Sequence, residues 1–182
     1  MTKYSSDIKE QVNALSKNEL ADIVLKLAAK KENYDFLLVN YFDKQSGEKV
    51  LFEEARADID SISRKRYKGF SEQLRMANML TVCIKRINDF TKISKDKKLE
   101  ADLILYVLEI PFTYSTDMLG TCFTQYDYKV GLLVKRLISL VTKNLHFDYK
   151  IDYQDKINQF LEILHRNSNH IDSIYNLPEI IE

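Results

Sequence analysis

Proline and glycine are scarce in this chain, with two and four among 182 residues. Sheet-rich folds need such residues at frequent tight turns, whereas helices joined by short links need few, so their scarcity points to an all-α protein. Cysteine is almost as rare. Cys83 and Cys122 are too few and too isolated for a disulfide framework, which fits a reducing compartment. Cys83 falls within an apolar helical stripe, where a cysteine behaves as a small buried hydrophobe. Cys122 has no neighbouring His or basic residue to mark it as a nucleophile. An excess of charge of either sign is missing too, with 27 Lys plus Arg against 27 Asp plus Glu, so any attraction to nucleic acid or to an anionic membrane needs a local patch. No run approaches the roughly 18 to 20 apolar residues of a membrane span. The polar start MTKYSSDIKEQ lacks the apolar core of a signal peptide, and the expected location is the cytoplasm.

What the sequence has in quantity is apolar residues at helical spacing. The most distinctive stretch is Leu99 to Tyr114, in which Leu99, Ala101, Leu103, Ile104, Leu105, Val107, Leu108 and Ile110 cannot share one narrow face. A helix apolar all round belongs in an interior covered from several directions. Pro111 is expected to stop it.

The other segments each offer one stripe. A short polar helix over Ser5 to Ala14 comes first, within a start (residues 1–14) expected to fray. Ser16 and Glu19 then form an S-x-x-E capping box, with Leu15 and Leu20 at the positions of a hydrophobic staple. Leu20, Ile23, Val24, Leu27 and Ala28 follow on one face, and Tyr34, Leu37, Leu38 and Tyr41 make a second run beside Phe36 and Phe42. Residues 43–47 (DKQSG) read as a loop, with Ser46 as a cap for a helix carrying Leu51, Ala55, Ile59 and Ile62. Residues 64–70 (RKRYKGF) interrupt before a long helix from about Ser71 to Phe90. Residues 94–98 connect to the central stretch. A further helix buries Val130, Leu133, Val134, Leu137, Leu140 and Val141 while Lys135, Arg136, Ser139 and Lys143 point away. Residues 146–152 (HFDYKID) alternate but have no partner strand and read as a connector. Tyr153, Ile157, Phe160, Leu161 and Leu164 mark one more helix, and Ile171, Ile174, Leu177, Ile180 and Ile181 a docking tail around Pro178.

Seven to nine helices with short links place neighbours side by side and mostly antiparallel. One expected domain over residues 1–182 then takes one of two forms. It is either an α-α superhelical stack of the armadillo or HEAT kind, or an orthogonal bundle around the buried central helix. No internal repeat of fixed period distinguishes them.

Leu15-Ser16-Lys17-Asn18-Glu19-Leu20, the aromatic and Leu run from Tyr34 to Leu38, and Ala101-Asp102-Leu103-Ile104-Leu105-Tyr106 occur in an order that resembles an uncharacterised bacterial family of small helical proteins, domain of unknown function family 6155. Glu109 to Thr113 and the long helix after it are also similar. The resemblance covers about Leu15 to Val141 and leaves out everything after Tyr149. It implies an all-α fold and brings no catalytic residues.

Two groups of residues are candidates for function. Asp102, Tyr106 and Glu109 stand at i, i+4 and i+7 on the central helix, where buried carboxylates could act as acid or base. Buried polar groups must be paired, however, and pairing with neighbouring elements makes the three a structural polar cluster. The second group is basic. From Arg64 to Lys98 eleven basic residues face three acids, and from Phe147 to Glu182 seven acids face three bases. Arg64, Lys65, Arg66 and Lys68, with Tyr67 among them and Phe70 beside them, form a candidate binding patch for phosphates and a stacked base.

Catalytic and cofactor motifs are missing. His165 and His170 are five apart, which is not the i, i+4 spacing of two zinc-binding imidazoles on one helix, and His146 is remote. Glycine-rich phosphate loops and nucleophile elbows are absent. The expectation is a protein without catalysis, metal or cofactor. Its partner is expected to be another protein, or, less favoured, nucleic acid at the 64–98 region.

Overall fold

A computed structural model describes residues 6–182, for Ser6 the backbone only. Among the described residues the chain is all helical, with no strand. It divides into two compact units, Met1–Glu48 and Lys49–Glu182.

The first unit contains α1 (Ser6–Ala14), α2 (Lys17–Ala28) and α3 (Lys31–Leu37), followed by a π-helical turn, Leu38–Phe42. Ser5, the expected first residue of α1, lies outside the described residues. The capping box forms as expected: the Ser16 hydroxyl accepts from the Glu19 amide, and the Glu19 carboxylate accepts from the Ser16 amide at 2.8 Å. Asn33 closes the other end of α2, its side-chain amide donating to the Leu27 carbonyl at 2.8 Å. The apolar stripe of α2 behaves differently from its expected role as a covering layer. No residue of α2 is buried, and of the stripe only Leu20 and Ala28 are half-buried.

α4 (Lys44–Ser63) begins in the first unit and continues into the second. Its start corrects the expected loop at 43–47. The cap is Asp43, whose carboxylate accepts from the Ser46 amide at 3.1 Å. Ser46 therefore lies inside the first turn. An Asp at this position satisfies an orphan amide as well as a Ser does, and three polar residues after it do not prevent a helix.

In the second unit Leu51, Ala55, Ile59 and Ile62 of α4 are buried as expected. α5 (Glu72–Ile93) is capped by Ser71, and Asp96 caps α6 (Lys97–Tyr114) by accepting from the Lys98 and Leu99 amides. α6 is the all-round apolar helix, burying Ala101, Leu103, Ile104, Val107 and Leu108. Pro111 does not stop it. The ring is buried within the helix, and only residues 112–114 follow. Pro111 removes the bond that the Val107 carbonyl would otherwise accept, but this is one bond close to the end of the helix, and the chain keeps helical geometry through residues 112–114.

After a short 3-10 turn at Thr116–Met118 come α7 (Gln125–Lys143), α8 (Phe147–Ser168) and α9 (Asp172–Tyr175). α7 packs against α5, α6, α8 and α9, so the interior is shared between α6 and α7 and not organised on α6 alone. The helix expected to begin at Tyr153 starts six residues earlier. His146 caps α8, and residues 147–152 are its first turns. The alternation there misled because Phe147, Tyr149 and Ile151 are all exposed, and the buried stripe begins only at Tyr153. The tail docks through three of its five expected residues: the Ile181 amide donates to the Asn158 side chain at 2.8 Å and Ile174, Leu177 and Ile181 are buried, whereas Ile171 is half-buried and Ile180 exposed.

Candidate binding cleft

The basic run of residues 64–98 sorts into two classes. Arg86 reaches Asp58 at 2.6 Å, Lys92 reaches Asp89 at 2.6 Å, Lys97 reaches Glu100 at 2.8 Å and Lys98 reaches Asp102 at 2.9 Å. Lys95 donates to the Thr91 and Lys92 carbonyls at the end of α5. Five of the eleven basic residues along this stretch are therefore met locally, all of them at or beyond Arg86. Lys65, Arg66 and Arg75 make no ion pair among the described residues.

Those three cations surround a cleft of about 500 Å³ between the end of α4 and the first turns of α5. Tyr67 forms part of the wall. Its hydroxyl donates to the Ile62 carbonyl at 3.1 Å, which closes the end of α4 and fixes the ring, and burial raises the phenol's pKa. The α5 side consists of Glu72, Arg75, Met76 and Met79, at i, i+3, i+4 and i+7 on one face. The loop is held in place by Asn78, whose amide donates to the Lys68 carbonyl at 2.8 Å, and by Arg75, which donates to the Gly69 carbonyl at 3.4 Å.

Of the expected patch, Lys65, Arg66 and Tyr67 line this cleft, whereas Arg64 and Lys68 do not. Arg75, Glu72, Met76 and Met79 were not placed in the patch by sequence reasoning. Their common helical spacing was the available signal, but nothing local indicates that this face of α5 turns towards residues 63–67.

The three polar residues of α6 do not converge. Asp102 accepts from the Tyr153 hydroxyl of α8 at 2.5 Å and from Lys98. Tyr106 donates to Asp60 of α4 at 2.5 Å, with the Arg56 guanidinium 4.7 Å from its ring centre. Glu109 pairs with Lys156 of α8 at 2.6 Å. Each is half-buried, not buried as expected, and each ties α6 to a different residue of a neighbouring helix. Hydrogen bonding to Asp60, followed by burial, raises the Tyr106 pKa. Burial, with the Asp102 carboxylate beside it, raises that of Tyr153 far above the ordinary phenol range.

The buried polar groups lie elsewhere. Glu100 faces Arg136 and Lys97, and burial pushes its carboxyl up while their hydrogen bonds and charges more than reverse that, holding it below the usual carboxylate range. Arg136, expected to point away, is half-buried because this pairing draws it inward. Asp127 is fully buried at the start of α7. One oxygen accepts from the Gly120 amide at 2.7 Å and from the Ser168 hydroxyl, and the other has no protein partner. Among the described residues no group of three or more His, Cys, Asp and Glu side chains is arranged to hold a metal ion. No helix among them is long and apolar enough to cross a membrane.

Comparison with known proteins finds no matching family model, no matching curated protein and no matching solved structure.

Proposed function

We propose that this protein is a helical interaction module that works without catalysis and docks another protein on the apolar face of its first unit. The observation that carries this reading is how much large apolar side chain α2, α3 and the π-helical turn expose. Leu25 is 70% exposed and Tyr41 72%, and Ile23, Val24, Leu27, Tyr34, Phe36 and Phe42 are exposed with them. Val39 is the buried apolar side chain of these elements. Scattered exposed leucines need no explanation, but eight large apolar residues within twenty positions are the composition of a surface that binds. The ion-paired state of the α6 carboxylates supports the absence of catalysis in this reading.

The same proposal places the protein in a bacterial cytoplasm, given one buried and one exposed free cysteine, and within the uncharacterised helical family it resembles over residues 15–141. Nucleic acid along residues 64–98 is the weaker alternative, since Arg86, Lys92, Lys97 and Lys98 already have carboxylate partners.

The test is capture from nuclease-treated lysate with the wild-type chain and a Leu25→Glu/Tyr41→Glu variant side by side. A stoichiometric protein partner held by the wild type and lost by the variant is the expected result. Equal capture by both chains, or a signal that disappears with nuclease, overturns the reading.

A further inference from the structure

We infer that the cleft between α4 and α5 is a binding site for a nucleoside phosphate. The inference is independent of the docking face above and rests on the chemistry of the cleft walls. One wall is cationic: Lys65, Arg66 and Arg75 approach from two elements and have no carboxylate partner among the described residues. Arginine presents a planar fork that matches phosphate oxygens, and two arginines with a lysine suit an anion carrying more than one charge.

Phosphate alone does not account for the rest of the site. Met76 and Met79 line it, together with the fixed ring of Tyr67. A thioether is polarizable and packs well against the face or edge of an aromatic ring. A wholly apolar ligand would leave three cations unmet, and an inorganic anion would leave the half-buried Met76 side chain and Tyr67 ring bare, Met79 beneath them being only 2% exposed. A ligand with a phosphate at one end and a flat heteroaromatic ring at the other meets both.

Glu72 narrows the choice. An ionised carboxylate accepts hydrogen bonds and repels phosphate, so its presence in the lining calls for a ligand that also carries donors. Sugar hydroxyls or an exocyclic base amine, lying between phosphate and ring, supply such donors. The cleft volume of about 500 Å³ falls within the roughly 300 to 1,000 Å³ typical of small-molecule sites.

The experiment uses the full chain and the probes ADP, UDP, inorganic pyrophosphate and a single-stranded oligonucleotide. Binding is read by calorimetry and by the methyl signals of isotopically labelled methionine. Met76 and Met79 line the cleft and Met118 does not, so the spectrum reports where the ligand sits as well as whether it binds. One nucleotide or both should bind saturably, at least tenfold more tightly than pyrophosphate, and should shift Met76 and Met79 but not Met118. Arg66→Gln/Arg75→Gln should weaken binding at least tenfold. Lys85→Gln, which removes an exposed charge of the same helix outside the cleft, should leave it unchanged.

No saturable nucleotide binding overturns the inference. So does equal affinity for pyrophosphate, equal loss in the Lys85 variant, or binding of the oligonucleotide alone. If the double variant is unfolded by circular dichroism, the methionine shifts of the wild-type chain decide by themselves.

Discussion

The Arg136 guanidinium of α7 closes on the Glu100 carboxylate of α6 through two bonds to the same oxygen, 3.0 Å from Nε and 2.8 Å from Nη2. Lys97 holds the other oxygen at 2.8 Å, and a third guanidinium donor reaches Asn88 of α5 at 2.7 Å. One arginine thus links three helices of the second unit. Glu100 is buried while Arg136 and Lys97 keep access to water, so Glu100→Gln, which removes the charge and keeps one acceptor oxygen, should cost about 1 to 2 kcal/mol in urea unfolding at neutral pH. The carboxyl is held below its ordinary value in the folded chain. Its stabilising contribution is therefore complete above the ordinary carboxylate pKa and is lost as pH falls through the lower folded value. The gap between wild type and Glu100→Gln should narrow on acidification, and a gap independent of pH would contradict this account.

Gly120 has φ of +75°, and a Cβ there would lie 2.2 Å from the Asn167 carbonyl oxygen. Gly120→Ala combines a left-handed backbone with a clash against main chain that cannot swing aside, so it should cost at least about 2 kcal/mol. Gly131 in α7 is the control. A Cβ there meets the Ile174 side chain at 3.1 Å, and the gain in helix propensity offsets that contact, giving a net change within about 1 kcal/mol. Thermal melting of the two variants separates these outcomes.

Asp127 should matter as an acceptor. It joins the turn at Gly120 to the last residue of α8 through the Gly120 amide and the Ser168 hydroxyl. Asp127→Ala leaves both donors without their partner and should destabilise by about 2 kcal/mol. Asp127→Asn keeps one acceptor oxygen and should recover most of that loss. Equal destabilisation by the two variants would show that the carboxylate, and not the accepted hydrogen bonds, is what the site requires.

These examples mark what was legible in the sequence. The apolar stripes of α4, α7 and α8 and the Ser16–Glu19 box follow from spacing alone, because a helix brings i, i+3 and i+4 together whatever lies beyond it. Arg136 could not be read that way. On its own helix it is one more polar position, and only the approach of Glu100, 36 residues earlier, turns it inward. The cleft was half legible for the same reason: Lys65 to Tyr67 are contiguous, whereas the face of α5 that completes the site is defined by packing. Pro111 shows the converse, a strong local signal whose effect depends on how few residues remain in the helix.

The exposed face of the first unit gives a prediction about stability as well as binding. Leu25 and Tyr41 contribute little buried surface, so Leu25→Glu and Tyr41→Glu should each change unfolding free energy by no more than about 0.5 kcal/mol. A large loss of stability in either variant would mean that these side chains are covered in solution, most directly by a second copy of the chain. Sedimentation of the wild type across a range of concentrations would then show the dimer.

The two cysteines provide an internal clock for the second unit. Cys122 is exposed and Cys83 is fully buried on α5, where burial pushes its thiol up to about 12. The thiolate is the reactive form, so at mildly alkaline pH Cys83 is protected both by lack of access and by lack of ionisation. Iodoacetamide should add one label quickly, at Cys122, and a second only when α5 separates from its neighbours. Cys83 lies among the most deeply buried residues, so its opening should require unfolding of the unit as a whole. Its labelling rate should therefore rise with urea in step with global unfolding and respond equally to Glu100→Gln. Labelling of Cys83 at the rate of Cys122 would show that α5 opens locally, a result mass spectrometry of the digested protein would resolve directly.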